Sequence, residues 1–422
     1  MGDKSFLRSG HTPTLVSALL YFDISFMVWV ILGPLAPFLR QQFGMSATAQ
    51  GLLVAVPLLG GSLFRPILGV VADRIGGRRT GLIGLTLTLA ALVTGWTLAS
   101  AAWHLFVLGF FLGIAGASFA VALPLASRWY PPEYQGLAMG IVGAGNSGSL
   151  MATMFAPRIA EKIGWASTFG LAIVPVTCVL ITFGVLAKDS PAKTRPLGWA
   201  DYGAILREPD TLWFSFLYSL TFGGFVGFTS FLTTFFHEQY HVSRVSAGDF
   251  TTLVVVSGSL MRPLGGWLSD RFGGYRLLLS LLGAAAACLA LVSTLPPLAI
   301  AVPLLFVTVG CLGMGNGAVF QLVPQRFAGR MGIITGVVGA AGGLGGFFLP
   351  SILGAAKDLT GTYATGLLFL TFAFVAGTVL LLELGARWQT RWDPVAVARS
   401  GIFNYRSKIA GDVAEGEEGR AA

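Results

Sequence analysis

Apolar runs of about twenty residues recur along the chain, separated by short stretches that hold most of its charge. A helical run of that length spans a bilayer core of about 30 Å. The runs are continuous and do not alternate with polar positions, so they predict helices and argue against barrel strands. Twelve helices are expected, near 14–38, 47–72, 80–99, 104–128, 135–157, 165–187, 212–236, 247–269, 276–295, 299–323, 331–354 and 364–386. Two stretches stay polar. One is 188–210, with Lys193, Arg195, Asp201, Arg207 and Glu208; the other is the tail after Arg387, ending in Glu415, Glu417 and Glu418. The expected organisation is a six-helix bundle over 1–187, a cytoplasmic linker over 188–211, a second bundle over 212–386 and a tail over 387–422. The tail has the composition of a disordered segment.

Composition narrows the class. Of 422 residues only 11% are charged, against about 25% in a soluble globular protein, and 54% are hydrophobic. Mean hydropathy is +0.75. A soluble enzyme, a nucleic-acid-binding domain and a disordered chain are excluded, leaving an all-α polytopic membrane protein embedded in the lipid bilayer. The first run is too long for the core of a cleaved signal peptide and reads as a mature helix. Cys178, Cys288 and Cys311 all fall in apolar runs, so they read as small buried residues, with no disulfide framework. No metal site, cofactor or catalytic group is expected: His11, His104, His237 and His241 sit near predicted membrane edges without a companion acid motif.

The formal net charge of +8 is a topology signal. With the amino terminus inside, twenty Lys and Arg fall on the cytoplasmic side, and five (Arg40, Arg158, Lys162, Arg244, Lys357) on the other. Cytoplasmic loops keep basic residues, so both termini are expected in the cytoplasm, in the inner membrane, and nucleic acid need not be invoked as a partner.

The chain repeats itself. Gly61-Ser62-Leu63-Phe64-Arg65-Pro66, continuing to Asp73-Arg74-Ile75-Gly76-Gly77-Arg78-Arg79, returns 197 residues later. There it reads Gly258-Ser259-Leu260-Met261-Arg262-Pro263, then Asp270-Arg271-Phe272-Gly273-Gly274-Tyr275-Arg276, with eleven of nineteen positions identical. Gly140-Ile141-Val142-Gly143-Ala144 likewise matches Gly336-Val337-Val338-Gly339-Ala340. Two homologous halves follow, with helix 2 matching helix 8 and helix 5 matching helix 11.

The run Gly69-x-x-x-Asp73-Arg74-x-Gly76-Gly77-Arg78-Arg79 resembles the loop signature of the major facilitator superfamily, and Gly266 to Arg276 is its weaker copy. The resemblance covers the whole chain and implies the major facilitator fold: two pseudo-symmetric six-helix bundles with the substrate near the midplane between them. It implies a carrier and is silent on the cargo. Rocking of the halves is expected, with the Asp73-Arg74 and Asp270-Arg271 loops latching the cytoplasmic side.

Two charges resist the loop explanation. Arg65 and Arg262 each precede a loop aspartate by eight residues, about 12 Å at 1.5 Å per residue, which puts both near the midplane. An arginine there costs at least about 2.5–3.5 kcal/mol and should face a cavity or a partner. Asp23 in helix 1 is the one clear intramembrane carboxylate, because Glu383 is explained by Arg387 four residues on. One acid cannot neutralise two arginines, so an anion site is expected, with a buried ion pair as the plainer alternative. Paired guanidinium forks suit a planar oxyanion such as nitrate, nitrite or a small carboxylate, although a phosphate ester also fits.

Helices 5 and 11 are dense in glycine. Tight packing alone would explain that, yet its symmetry implies a narrow passage that argues against sugar phosphates and drugs. Gly143-Ala144-Gly145-Asn146-Ser147-Gly148 and Gly339-Ala340-Ala341-Gly342-Gly343-Leu344-Gly345-Gly346 resemble the paired signatures of the nitrate/nitrite porter family. Tyr218-Ser219-Leu220-Thr221-Phe222-Gly223 is similar to that family's substrate-contacting helix 7. The resemblance implies that Arg65 and Arg262 clamp the anion, that Tyr218 and Asn146 donate hydrogen bonds, and that Phe222 and Phe119 sandwich its flat face. On residues alone Tyr218 and Phe222 read as core aromatics. The exchanger branch lacks a protonatable residue at Asp23, so the resemblance is to the nitrate/proton symport branch, in nitrate assimilation. A salt-bridge or packing role for Asp23 stays open.

The expected activity is secondary active transport of nitrate and nitrite by a monomer. The alternatives are nitrate/nitrite antiport, a carrier of formate or oxalate, and an anion-sensing receptor on a transporter scaffold.

Overall fold

A computed structural model describes residues 6–191, 199–327 and 331–402. Twelve long helices follow one another among them. They are helix 1 (Thr12–Phe43, broken after Trp29), helix 2 (Ala47–Ile75), helix 3 (Gly77–Thr97), helix 4 (Ala102–Ser127, broken at Gly116) and helix 5. Helix 5 is built from Pro132–Gly143, a 3₁₀ turn Ala144–Ser147 and Gly148–Ile163. Helix 6 (Trp165–Leu186), helix 7 (Pro209–Tyr240, with a wide turn at Ser219–Gly223), helix 8 (Arg244–Phe272), helix 9 (Gly274–Ser293), helix 10 (Leu298–Arg326), helix 11 (Met331–Thr360) and helix 12 (Ala364–Arg391) complete the set. Ten are long and apolar enough to cross a membrane. The other two, helices 5 and 8, carry the glycine run and Arg262.

The two halves reuse their start and stop signals. Ser46 caps helix 2 by accepting from the Ala49 amide, and Ser243, 197 positions on, caps helix 8 through the Ser246 amide; such a cap satisfies a helix-end donor. Helices 2 and 8 both end at a glycine with positive φ, Gly76 (φ 95°) and Gly273 (φ 87°). A side chain is strained there, which explains the repeated Gly in the loop motif. Helix 1 breaks four residues before Pro34, where a proline ring meets the carbonyl of the preceding turn.

The halves meet along helix 2 against helix 11, helix 5 against helix 8, and the ends of helices 1 and 7. Small residues allow the approach. A Cβ on Gly51 would collide with the Pro350 carbonyl and one on Gly354 with that of Ala47.

Polar contacts between the halves gather at one end, the end with the turns after helices 1, 5, 7 and 11. Arg40 pairs with Glu238 at 2.5 Å and Arg158 with Asp249 at 2.7 Å. Asp358 accepts from the amides of Ala47 (3.1 Å) and Thr48 (2.7 Å), capping helix 2 from the opposite half. Gln50 donates to Thr234 at 3.1 Å, and Arg244 to Gln41. At the other end the ion pairs among the described residues stay within a half. Asp73 meets Arg128 at 2.7 Å, and Asp210 meets Arg326 at 2.5 Å.

Three expectations change. The tail is ordered well past Arg387: helix 12 runs to Arg391 and a short helix, Pro394–Ser400, follows. Trp388 and Trp392, one turn apart, stack at 4.6 Å and both donate to buried Asp210, at 2.9 and 3.3 Å, which anchors this segment. The linker contains a helix, Trp199–Leu206. Of the cysteines only Cys311 is buried; Cys178 is exposed on the apolar flank of helix 6. Lys4, Lys193, Arg195, Arg330, Arg406, Lys408, Arg420 and the acidic tail residues lie outside the described residues, so the expected disorder there is not addressed.

Candidate anion site between the halves

Arg65 is 1% exposed, the most deeply buried charge among the described residues. Its Nε donates to the Gly116 carbonyl at the break in helix 4 (3.1 Å), and Nη1 donates to the Gly339 carbonyl of helix 11, in the other half. Rings of Trp29, Phe119 and Phe222 surround the guanidinium carbon at 5.1, 5.3 and 5.1 Å. Ring faces attract a cation, so the charge is held without a carboxylate. Nη2 is buried with no partner.

Arg262 is half-buried and holds the corresponding place in the second half. A Cβ on Gly143 of helix 5 would lie 3.6 Å from its guanidinium carbon, and one on Gly339 would lie 3.8 Å from Nη1 of Arg65. Each arginine therefore faces the glycine-rich helix of the opposite half, at positions paired by the repeat. Neither arginine has an ion pair among the described residues, and Nη1 of Arg262 is buried and unpartnered. The Tyr218 hydroxyl lies beside the Arg262 guanidinium, close enough to interact with it, and within electrostatic reach of Arg65, although no hydrogen bond of proper geometry is formed.

Helix 7 supplies the aromatic wall. Its wide turn at Ser219–Gly223 brings Tyr218 and Phe222 into a parallel stack at 5.1 Å, 2° between planes. Such single-turn bulges are frequent at functional sites. Both rings rest on Gly342, where a Cβ would come within 2.5 Å of Tyr218 and 3.0 Å of Phe222. Phe320 of helix 10 meets Tyr218 edge-on at 5.0 Å.

Asn146 lies on the 3₁₀ turn of helix 5, one such turn beyond Gly143, and residues three apart eclipse in that geometry. It shares the face of Gly143 turned to Arg262. It is fully buried, and neither its amide nitrogen nor its oxygen has a partner. Unpaired donors and acceptors are costly in a dry interior, and Arg65, Arg262, Tyr218 and Asn146 each keep at least one. Gly143, Gly339 and Gly342 make room at this site. Gly145, Gly148 and Gly343 instead seat helices, against Phe22 and Asp23 of helix 1 and Ser62 of helix 2.

Asp23 is not paired with either arginine. Its carboxylate accepts from the Ser147 hydroxyl at 2.7 Å, beside Asn146. The salt-bridge alternative for Asp23 is therefore not formed. In the loops, Asp73 engages Arg128 within its own half, while Asp270 and Arg74 have no ion pair among the described residues. Arg271 lies over Trp267 and Phe272 of its own helix. Arg326 is taken by Asp210, whose carboxylate two tryptophan donors fix in a buried position.

The sequence reading missed Trp29, which braces Arg65 and donates from Nε1 to the Pro57 carbonyl at 2.7 Å. Its signal was present, since Phe22, Phe26 and Trp29 lie at i, i+4 and i+7. Phe320 and Asn316 on helix 10 were missed as well.

Residues 18–350 match the family model described as Major Facilitator Superfamily. A probable nitrate/nitrite transporter, NarK2, of Mycobacterium tuberculosis (strain H37Rv) is 37% identical over 387 residues, covering 89% of this chain and 97% of that protein. A nitrite extrusion protein of Bacillus subtilis is 33% identical, covering 87% and 92%. A probable nitrate transporter, NarT, of Staphylococcus carnosus is 31% identical, covering 86% and 93%. Among solved structures, the Escherichia coli xylose transporter XylE, in a partially occluded inward-open conformation, has a TM-score of 0.73 at 16% identity, covering 89% and 98%. The human organic anion transporter MFSD10 has a TM-score of 0.71 at 14% identity, covering 88% and 99%. These two likenesses bear on the fold.

Proposed function

The chain belongs to the Major Facilitator Superfamily, and from that premise we propose that it carries nitrate and nitrite across the membrane by alternating access. One observation carries the choice of cargo: two arginines from opposite halves come within electrostatic reach of each other, neither has an ion pair among the described residues, and aromatic rings surround the first. A planar anion slides between Phe119 and Phe222 while unpaired donors of Arg65, Arg262, Tyr218 and Asn146 take its in-plane oxygens. The curated relatives named for nitrate and nitrite over nearly the whole chain support the same reading.

With both termini in the cytoplasm, the end closed by Arg40–Glu238 and Asp358 faces outward. An anion bridging both arginines draws the inner ends together, and release of the outer contacts then opens the opposite side. Proton-coupled nitrate uptake fits Asp23. It is a carboxylate free of any arginine, bonded to the turn that carries Asn146, so its protonation state can be read by the site. Nitrate/nitrite exchange is the second reading, since the arginine pair serves both.

Uptake of labelled nitrate by proteoliposomes tests the proposal. Uptake driven by an inward proton gradient supports symport. Indifference to pH with stimulation by internal nitrite selects exchange. No nitrate flux in either format, with flux of formate or oxalate, removes the cargo assignment.

A further inference from the structure

The groups around Arg65 have counterparts 197 positions away in the other half, and these differ in kind. Offset by 197, Tyr21 corresponds to Tyr218, Gly116 to Gly313, Trp29 to Val226, Phe119 to Asn316 and Phe222 to Ser25. Three rings enclose Arg65; the positions that match them in the repeat carry an aliphatic residue, an amide and a hydroxyl. No ring stands over Arg262 among the described residues. Asn316 is fully buried, and neither its Nδ2 nor its Oδ1 has a partner; the Ser25 hydroxyl is buried and unpartnered too.

Helix 10 orients Asn316. Leu312, four residues before it, faces helix 7 at Gly224; Gly313 and Gly317 press on the backbone of helix 8 at Gly258 and Arg262. At 100° per residue, Asn316 points into the seam between those two helices. It lies one turn before Phe320, whose ring meets Tyr218 and lies 6.5 Å from that of Phe119.

We propose that Asn316 is a specificity-determining residue, a polar contact that completes the Arg262 side of the anion site, its amide donating to an anion oxygen and its carbonyl receiving the free Arg262 N–H. Arg65 is the arginine fixed in advance by rings and carbonyls. Arg262 is the one that the anion and Asn316 organise together. The inference rests on the anion reading above.

Purified full-length chain in proteoliposomes tests it with nitrate as the probe. Leu is close to Asn in size and removes two unpaired polar atoms, so Asn316→Leu is expected to unfold at the same temperature as wild type or higher when no anion is present. Its KM for nitrate is expected to rise at least about tenfold, with most of the nitrate-induced thermal shift lost. Asn316→Asp puts a carboxylate against Arg262 and competes with the anion, so its KM rises further. An unchanged KM in folded Asn316→Leu overturns the assignment while leaving nitrate transport intact. Loss of fold in that variant overturns it as well, because the amide is then structural. A wild-type chain that neither moves nor binds nitrate removes the anion reading and this inference with it.

Discussion

Arg65 on helix 2 donates to the main-chain carbonyl of Gly339 on helix 11, so a buried cation of one half is tied to the backbone of the other. The contact needs a residue with little or no side chain. A Cβ at 339 would sit 3.4 Å from Phe119, ordinary contact, but anything longer enters the space between that ring and the guanidinium. Gly339→Ala is expected to keep nitrate uptake within a few-fold of wild type and Gly339→Leu to abolish it. Equal activity of the two would show that the space is not used.

Lysine cannot replace either arginine. Arg65→Lys loses two charge-assisted bonds to carbonyls, each worth about 1.5–3 kcal/mol, and the flat cation held by three rings. A loss in nitrate uptake of at least about 100-fold is expected. Arg262→Lys keeps charge and loses the fork, with a loss of similar order. Uptake close to wild type in either variant would remove the reason for placing the anion there.

Asp23→Asn preserves an acceptor for Ser147 and removes the titrating charge. If Asp23 couples the proton, the variant keeps counterflow of labelled nitrate but no longer concentrates it in response to a pH gradient. Gradient-driven accumulation at the wild-type level would assign Asp23 to packing.

Glu238 receives both Arg40 (2.5 Å) and the Tyr363 hydroxyl (2.6 Å), joining helices 1, 7 and 12 at the closed end. Glu238→Gln weakens that closure by about 1–3 kcal/mol, a roughly 5- to 150-fold change in the balance of states. Spin labels at Gln41 and Arg244 should report a longer, broader distance distribution in the variant. An identical distribution would mean that other contacts hold this end.

Asp210 ties Arg326, Trp388 and Trp392 together at the opposite end. Asp210→Ala leaves these donors without their acceptor and is expected to cost about 2–4 kcal/mol. A lowered unfolding temperature measures it, with per-molecule transport at low temperature little changed.

Much of this was legible in the sequence, for reasons that separate cleanly. The helices follow from uninterrupted apolar runs, and the pairing of Arg65 with Arg262 from the 197-residue repeat. Helix ends were misjudged where polarity was taken as a stop, as at Arg387, since an exposed helix continues as long as something packs on it. Trp388 and Trp392 do so. The destination of Asp23 was not readable. Its hydrogen bond to Ser147 joins positions 124 apart on different helices, and no spacing rule reports such a meeting. The partners of the loop aspartates were not readable either, because choosing among Asp73, Asp210 and Asp270 depends on which is buried beside donors.

The duplicated helix signals have a consequence for how the chain is made. Ser46 with Gly76, and Ser243 with Gly273, give each half its own instructions for starting and ending the helix that bears its arginine. Those of the first half are complete once the first six helices have been made, whereas the cap that Asp358 places on Ala47 and Thr48 comes only with the second half. Each half thus sets the limits of its own arginine-bearing helix, and the bond between Asp358 and helix 2 is left to the meeting of the two.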